Sequence, residues 1–310
     1  MAARAELIAD RGVAAEASEF FRSRAFYEAE GVTHTLRVEA SAMTARVPVL
    51  VREVPGSELN DAISPYGYPG GEVDGGPAPE PVEVDWTAAG LVSVFARERL
   101  GGSPWLASAR ERSAVLVHDS ARPRRLRTRL AEQIRANERR GWSVEAARGP
   151  AVGEDRCAAF ERAYEQTMRR AGAAERYFYP REYFRTVLGF ERSWLLLARS
   201  PDDTIGAGAI AALSDGLLHY FLGGTADEHL GDSPFKNVVD AMIDLAEELG
   251  AVLNLGGGVT PGDGLEAFKR GFANGELPFR AHEVVCQPVE YERLSEGRPR
   301  TGFFPRYRAV

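Results

Sequence analysis

The chain has 310 residues, 44% of them hydrophobic, and a formal net charge of −7. That is apolar material for two ordinary cores, and no stretch approaches the ~20 apolar residues that span a bilayer. The acidic balance excludes a protein that coats nucleic acid with its whole surface.

The opening Met1–Asp10 carries acids and no apolar run, so no signal peptide is read there and the expected location is cytoplasmic. Cys157 and Cys286 are too few for a disulfide framework, and five scattered histidines show no zinc spacing, so no metal is expected.

In chain order, a helix is expected over 14–30. A β-hairpin follows from the alternation of 33–39 and 46–53, then a Gly/Pro-rich surface loop from Ser64 towards Pro81. Residues 87–100 read as a helix closed by Gly101 and Gly102, and 114–118 as a short buried strand. From Ala121 to Arg140 the chain holds eight arginines against two glutamates, with Leu126, Leu130, Ala131 and Ile134 at helical spacing. This predicts a basic helix over 124–140, read first as a solvated face and alternatively as a phosphate-facing surface. A strand at 142–147 leads to Gly149-Pro150, read as a hinge between domains 1–148 and 149–310.

The second half reads as helices 154–171 and 180–188, strands 193–199, 204–213 and 216–222, helix 234–249, strand 252–255, helix 264–272 and strand 280–286. Two helices, an antiparallel meander, then helix, strand, helix and strand is the order of the GNAT acyltransferase fold. The expected class is α+β, with tandem GNAT-like domains, each a mixed, mostly antiparallel sheet flanked by helices, the first more degenerate.

Only two of the 38 basic residues are lysines, Lys236 and Lys269, and both fall in this C-terminal stretch. An ammonium is a compact, movable point charge where guanidinium is a planar fork, so a tight oxyanion cavity is one place where Lys is kept; two leftover lysines is the plain alternative.

Several segments in order resemble the Fem-type, FemABX-like aminoacyltransferases of the GNAT superfamily. They are Ser64-Pro-Tyr-Gly-Tyr68, Ile134-Arg-Ala136, Tyr164-Glu-Gln-Thr-Met-Arg169, Tyr220-Phe-Leu-Gly-Gly-Thr225, Asn254-Leu-Gly-Gly-Gly258 and Phe268-Lys269 ahead of Phe272. The resemblance implies transfer of an amino acid from aminoacyl-tRNA to the amine of a peptidoglycan precursor, peptide or small specialised-metabolite intermediate, with no bound cofactor. It makes Lys269 the cationic stabiliser of the tetrahedral oxyanion and Phe268 the residue shaping its cavity. Lys236, Asn237, Gly256, Gly257 and Gly258 fall on the donor side. Tyr66, Tyr68, Thr167, Arg169 and Tyr220 fall on the acceptor side, and Arg124, Arg125, Arg127 and Arg135 are the expected tRNA contacts.

The loop His229-Leu-Gly-Asp-Ser233 before Pro234 lacks the basic, Gly-rich cradle that holds a CoA diphosphate, and Asp232 opposes one unless it turns outward or caps the helix. Two other readings stay open: an acyl-CoA- or carrier-protein-dependent N-acyltransferase, and a non-catalytic GNAT-like scaffold. No general base stands out, with Asp263, Glu266 and His219 as candidates. No heptad run marks an inserted coiled-coil arm.

Overall fold

The computed structural model describes residues 3–10, 18–258, 260 and 262–309. Strand β1 is Ala3–Ile8, helix α1 Arg24–Glu30, β2 His34–Ala40, β3 Met43–Glu53, β4 Asn60–Ile63, β5 Glu72–Gly75, β6 Val84–Asp85 and β7 Leu91–Arg97. Then come β8 Arg110–His118, α2 Thr128–Arg139, β9 Ser143–Arg148, α3 Glu154–Arg170, α4 Arg181–Leu188, β10 Ser193–Arg199, β11 Ile205–Ser214 and β12 Leu217–Thr225. The rest is α5 Phe235–Glu248, β13 Val252–Gly256, α6 Gly264–Lys269, β14 Gly275–Val285 and α7 Pro288–Leu294.

Two compact units result, the first holding 3–10, 30–113 and 278–309, the second 18–29 and 114–277. The chain leaves the first unit within β8 and re-enters it within β14. The Gly149–Ala151 turn, expected as a boundary, therefore lies inside the second unit.

The first unit is a mixed, mostly antiparallel sheet in the order β6-β1-β2-β3-β4-β7-β14, with β5 on β3. The β2–β3 hairpin pairs Leu36 with Val47 and Val38 with Ala45, and these four are completely buried. Residues 87–100 correct the expected helix. A 3-10 turn at Thr87–Ala89 ends on Gly90 in the left-handed region, and β7 follows. Flanked by β4 and β14, β7 is buried on both faces, so its residues show no alternation and resemble a buried helix segment.

The second unit has the GNAT order α3, α4, β10, β11, β12, α5, β13, α6, on a sheet running β8-β13-β12-β11-β10-β9. Strands β10 and β11 are almost wholly buried because both faces are covered, whereas the edge strand β9 is not. Helix α3 lies on β11 and β12, and α5 packs through Val238, Val239, Met242 and Ile243 against Leu218, Leu253 and Leu255. Gly224 permits the α3 approach, since a Cβ there would stand 2.5 Å from the Ala163 carbonyl oxygen.

Several element boundaries differ from expectation, among them those of β8, β12 and β14. Residues 18–30 form a 3-10 turn, Phe20–Arg22, and then α1; the expected helix residues 14–17 lie outside the described residues. The basic helix begins at Thr128, so Arg124, Arg125 and Arg127 sit on the approach to it, and Gly141, at φ 94, follows its end. Helix α6 stops at Lys269.

Candidate functional site

Strands β12 and β13 run parallel and pair only through Leu217–Val252, Leu218–Leu253 and His219–Asn254. Each then carries an extra residue. Phe221 bulges from the β11–β12 ladder and Leu255 from the β13–β8 ladder. Bulges bend a strand and end its pairing. Beyond them β12 runs on to Thr225 while β13 stops at Gly256, whose φ of 75 only glycine adopts without strain.

Lys269 is the last residue of α6 and is 8% exposed. Its Nζ donates to the Gly257 carbonyl at 2.8 Å and lies 5.3 Å from the centre of the Tyr220 ring. Burial pulls the ammonium from 10.5 down to about 8, a fall that the Asp263 carboxylate opposes. Among the described residues Gly257 is its only hydrogen-bond acceptor. Two of three N–H bonds are thus left for whatever fills the site. Phe268 is partly buried, 5.3 Å from Phe272 and 6.2 Å from Phe235, and Phe235 in turn is 5.5 Å from Tyr220. Lys269, Phe268, Tyr220 and Gly256–Gly257 therefore meet.

Gly258 adjoins Asp263, where a Cβ would come 2.5 Å from Oδ1. Asp263 caps α6, accepting from Glu266 N at 2.7 Å and Thr260 N at 2.9 Å. Glu266 accepts from Gly262 N and pairs with Arg270, and the Gly262 amide holds its carboxyl below the usual range. His219 is buried, and desolvation drops it to about 4, so it is neutral at pH 7; both its ring nitrogens are engaged. None of the three candidate bases stands ready to take a proton.

The other expected site residues are placed elsewhere. Asn237 is buried in a pin between helices, accepting from Asn137 Nδ2 at 2.8 Å and donating to Ile134 O at 3.2 Å. Lys236 is partly buried on the first turn of α5, and desolvation lowers its ammonium. Thr167 ties α3 to the end of β12, accepting from Thr225 N at 2.8 Å, and Arg169 pairs with Glu165 one turn back on α3. Tyr66 and Tyr68 belong to the first unit, where Tyr66 N donates to Glu30 and the Tyr68 ring meets Phe279 edge-on.

The arginine run divides. Arg124 is held by Asp240 and by Asp244, the latter at 2.6 Å. Arg127, just ahead of α2, donates through its backbone N–H to Gly271 O at 3.3 Å and through Nη1 to Ala267 O of α6 at 3.4 Å. Arg135 is exposed on α2 with no ion pair among the described residues. Arg125 lines a cavity of about 530 Å³ with Arg122, Arg270, Leu116, Asn274 and Glu276. Arg122 belongs to the same basic stretch of sequence, whereas Arg270, just past α6 and far along the chain, joins the group only through the fold and was missed by sequence reasoning.

The loop before α5 spends most of its amides on its own carbonyls. Asp232 and Ser233 N–H donate to His229 O, Lys236 N–H to Ser233 O and Asn237 N–H to Pro234 O, and Pro234 has none to give. The Asp232 carboxylate turns outward to Arg140 at 3.1 Å.

Residues 124–270 match the family model described as an acetyltransferase (GNAT) domain. No curated protein sequence matches the chain. Among solved structures, FemX is similar over 90% of this chain and 94% of its own, with TM-score 0.58 at 12% identity. The L-PGS structure from Bacillus licheniformis is similar over 91% and 96%, with TM-score 0.52 at 12% identity. The C-terminal domain of a putative lysylphosphatidylglycerol synthetase from Agrobacterium fabrum is similar over 79% and 82%, with TM-score 0.51 at 14% identity. At such identities these are likenesses of fold, and the expected Fem-type architecture is met at that level.

Proposed function

We propose that the protein moves an amino acid from aminoacyl-tRNA to the amine of a peptide or small-molecule acceptor, forming an amide bond. The observation that carries this reading is the buried Lys269 ammonium, with two uncommitted N–H bonds, where β12 and β13 part. The acceptor nitrogen attacks the ester carbonyl carbon, and the carbonyl oxygen becomes an oxyanion beside Lys269 Nζ. The C–O bond to the ribose then breaks, and the ribose oxygen takes up the proton shed by the amine. A fixed cationic donor at the developing oxyanion is worth a few kcal/mol. Asp263, Glu266 and His219 are committed to structural hydrogen bonds, so the amine enters neutral.

Two features favour tRNA over an acyl-CoA donor. Most amides ahead of α5 are spent on local carbonyls, so the loop offers a diphosphate few donors. In the cavity beside α6, Arg270 is paired with Glu266 and Glu276 and Arg122 with Asp119, which leaves Arg125 as the guanidinium offered to a phosphodiester group. Binding to bulk charged tRNA is expected to weaken steeply with salt. Arg125→Glu is expected to lower affinity and flatten the plot of log affinity against log salt by about one contact's worth. An unchanged slope removes this cavity from the tRNA path.

The match of residues 124–270 to an acetyltransferase domain favours a second reading, an acyl-CoA-dependent N-acyltransferase. Equilibrium binding of acetyl-CoA and of charged tRNA at low and moderate salt separates the two. Acetyl-CoA binding without tRNA binding sinks the tRNA reading.

A further inference from the structure

We infer that Asn254 is a positioning residue that fixes the Lys269 ammonium in the transfer proposed above, acting through the Gly256–Gly257 backbone. Asn254 is 1% exposed and stands opposite His219 at the last paired position of β12 and β13. Leu218 and Leu253, their neighbours in sequence, pack on the α5 side, so strand alternation sends His219 and Asn254 to the other face, where the Phe21 ring meets His219 edge-on.

The amide is used at both ends. Its Nδ2 donates to His219 Nδ1 at 3.0 Å, and its Oδ1 accepts from Gly256 N at 2.9 Å. The imidazole can act as that acceptor because Ser214 O, 3.3 Å from Nε2, holds the ring proton on the opposite nitrogen. Only an amide side chain of this length offers a donor to His219 and an acceptor to Gly256 together; leucine offers neither.

The consequence reaches Lys269 in two steps. Oδ1 pins the Gly256 N–H just past the Leu255 bulge, where the glycine sits at φ 75. This turn sets the direction of the next peptide, and the Gly257 carbonyl is the group that receives Lys269 Nζ. Without the Asn254 clamp the bulge can relax and the carbonyl leaves the ammonium. A displacement of about 1 Å in a catalytic group can cost ~10²-fold in rate.

With only two lysines in the chain, protein carrying isotope-labelled lysine gives two side-chain signals, and Lys236→Arg assigns them. In full-length Asn254→Ala, or Asn254→Ser where Ala does not fold, the Lys269 signal is expected to move. Its titration midpoint is expected to fall, because the Gly257 carbonyl bonds to the charged form. Turnover is expected to drop roughly tenfold or more with little change in KM. Asn137→Ala, which empties another buried hydrogen-bond site in the same unit, serves as the control for general destabilisation and is expected to leave the Lys269 signal in place. A Lys269 signal and titration unchanged in the Asn254 variants overturns the inference whatever the activity. If the signal moves as expected but Lys269→Ala keeps full turnover, the proposed function fails while the positioning of Lys269 by Asn254 stands.

Discussion

Lys269→Met is expected to abolish turnover and, at the same time, to make the fold more stable. The lysine is nearly buried, and desolvation moves it from 10.5 to about 8. That displacement is worth roughly 3 kcal/mol against the charged form. Methionine removes the penalty and fills similar space, at the loss of one hydrogen bond to Gly257 O worth about 1 kcal/mol. A net gain of about 2 kcal/mol is expected near pH 7. Turnover should fall by ~10²–10³, the usual loss on removing one oxyanion donor. The pH dependence has a definite sign. Because the folded midpoint lies below the unfolded one, the wild type carries the penalty in full below about pH 8 and sheds it as pH rises towards 10.5. The advantage of methionine should therefore shrink across that window. An enzyme that needs the ammonium should lose kcat/KM above about pH 8. Denaturant melts at pH 7 and pH 10, with a pH–rate profile, check all of this. A methionine variant less stable than wild type, or a rate flat through pH 9, would end the assignment of Lys269 as a buried cationic donor.

The second unit was legible because its meander is punctuated where strands reverse. Asp203, Asp215 and Gly216 all adopt the left-handed region at the turns that separate β10, β11 and β12. The first unit was less so. Its strands β4, β5 and β6 are two to four residues long, too short for any period to show, and β7 is buried on both faces. The Phe268-Lys269 pair and the Gly256–Gly258 turn could be picked out locally, and Lys269 Nζ donates to Gly257 O. What could not be read was pairing over distance. Arg124 looks like its neighbours in a basic run, yet two carboxylates on α5 hold it, and the structure leaves Arg125 to the cavity. Asn254 and His219 lie 35 positions apart, and only the parallel register sets them side by side.

A second large effect is expected in the first unit, far in sequence from the transfer residues. His282 is fully buried, its Nε2 bonded to the carboxylate of Glu98, which is 5% exposed, and its Nδ1 faces Ser108 O at 3.0 Å. A carbonyl can only accept, so Nδ1 is the donor to Ser108 O and Nε2 faces the carboxylate. The Trp105 ring meets the imidazole edge-on 4.7 Å away, and Glu98 Oε2 has no hydrogen-bond partner among the described residues. His282→Leu leaves that carboxyl buried with its main partner gone, which should cost about 3–5 kcal/mol. Adding Glu98→Leu removes the stranded group, and the double variant should recover most of the loss, since apolar residues can replace a buried pair at little or no cost. Denaturant unfolding of the two singles and the double gives the coupling directly. A single variant within about 1 kcal/mol of wild type would mean that the pair contributes little to holding this sheet. The expected pattern, a large single loss largely repaired in the double, assigns the Glu98–His282 pair to the internal specification of the first unit rather than to chemistry.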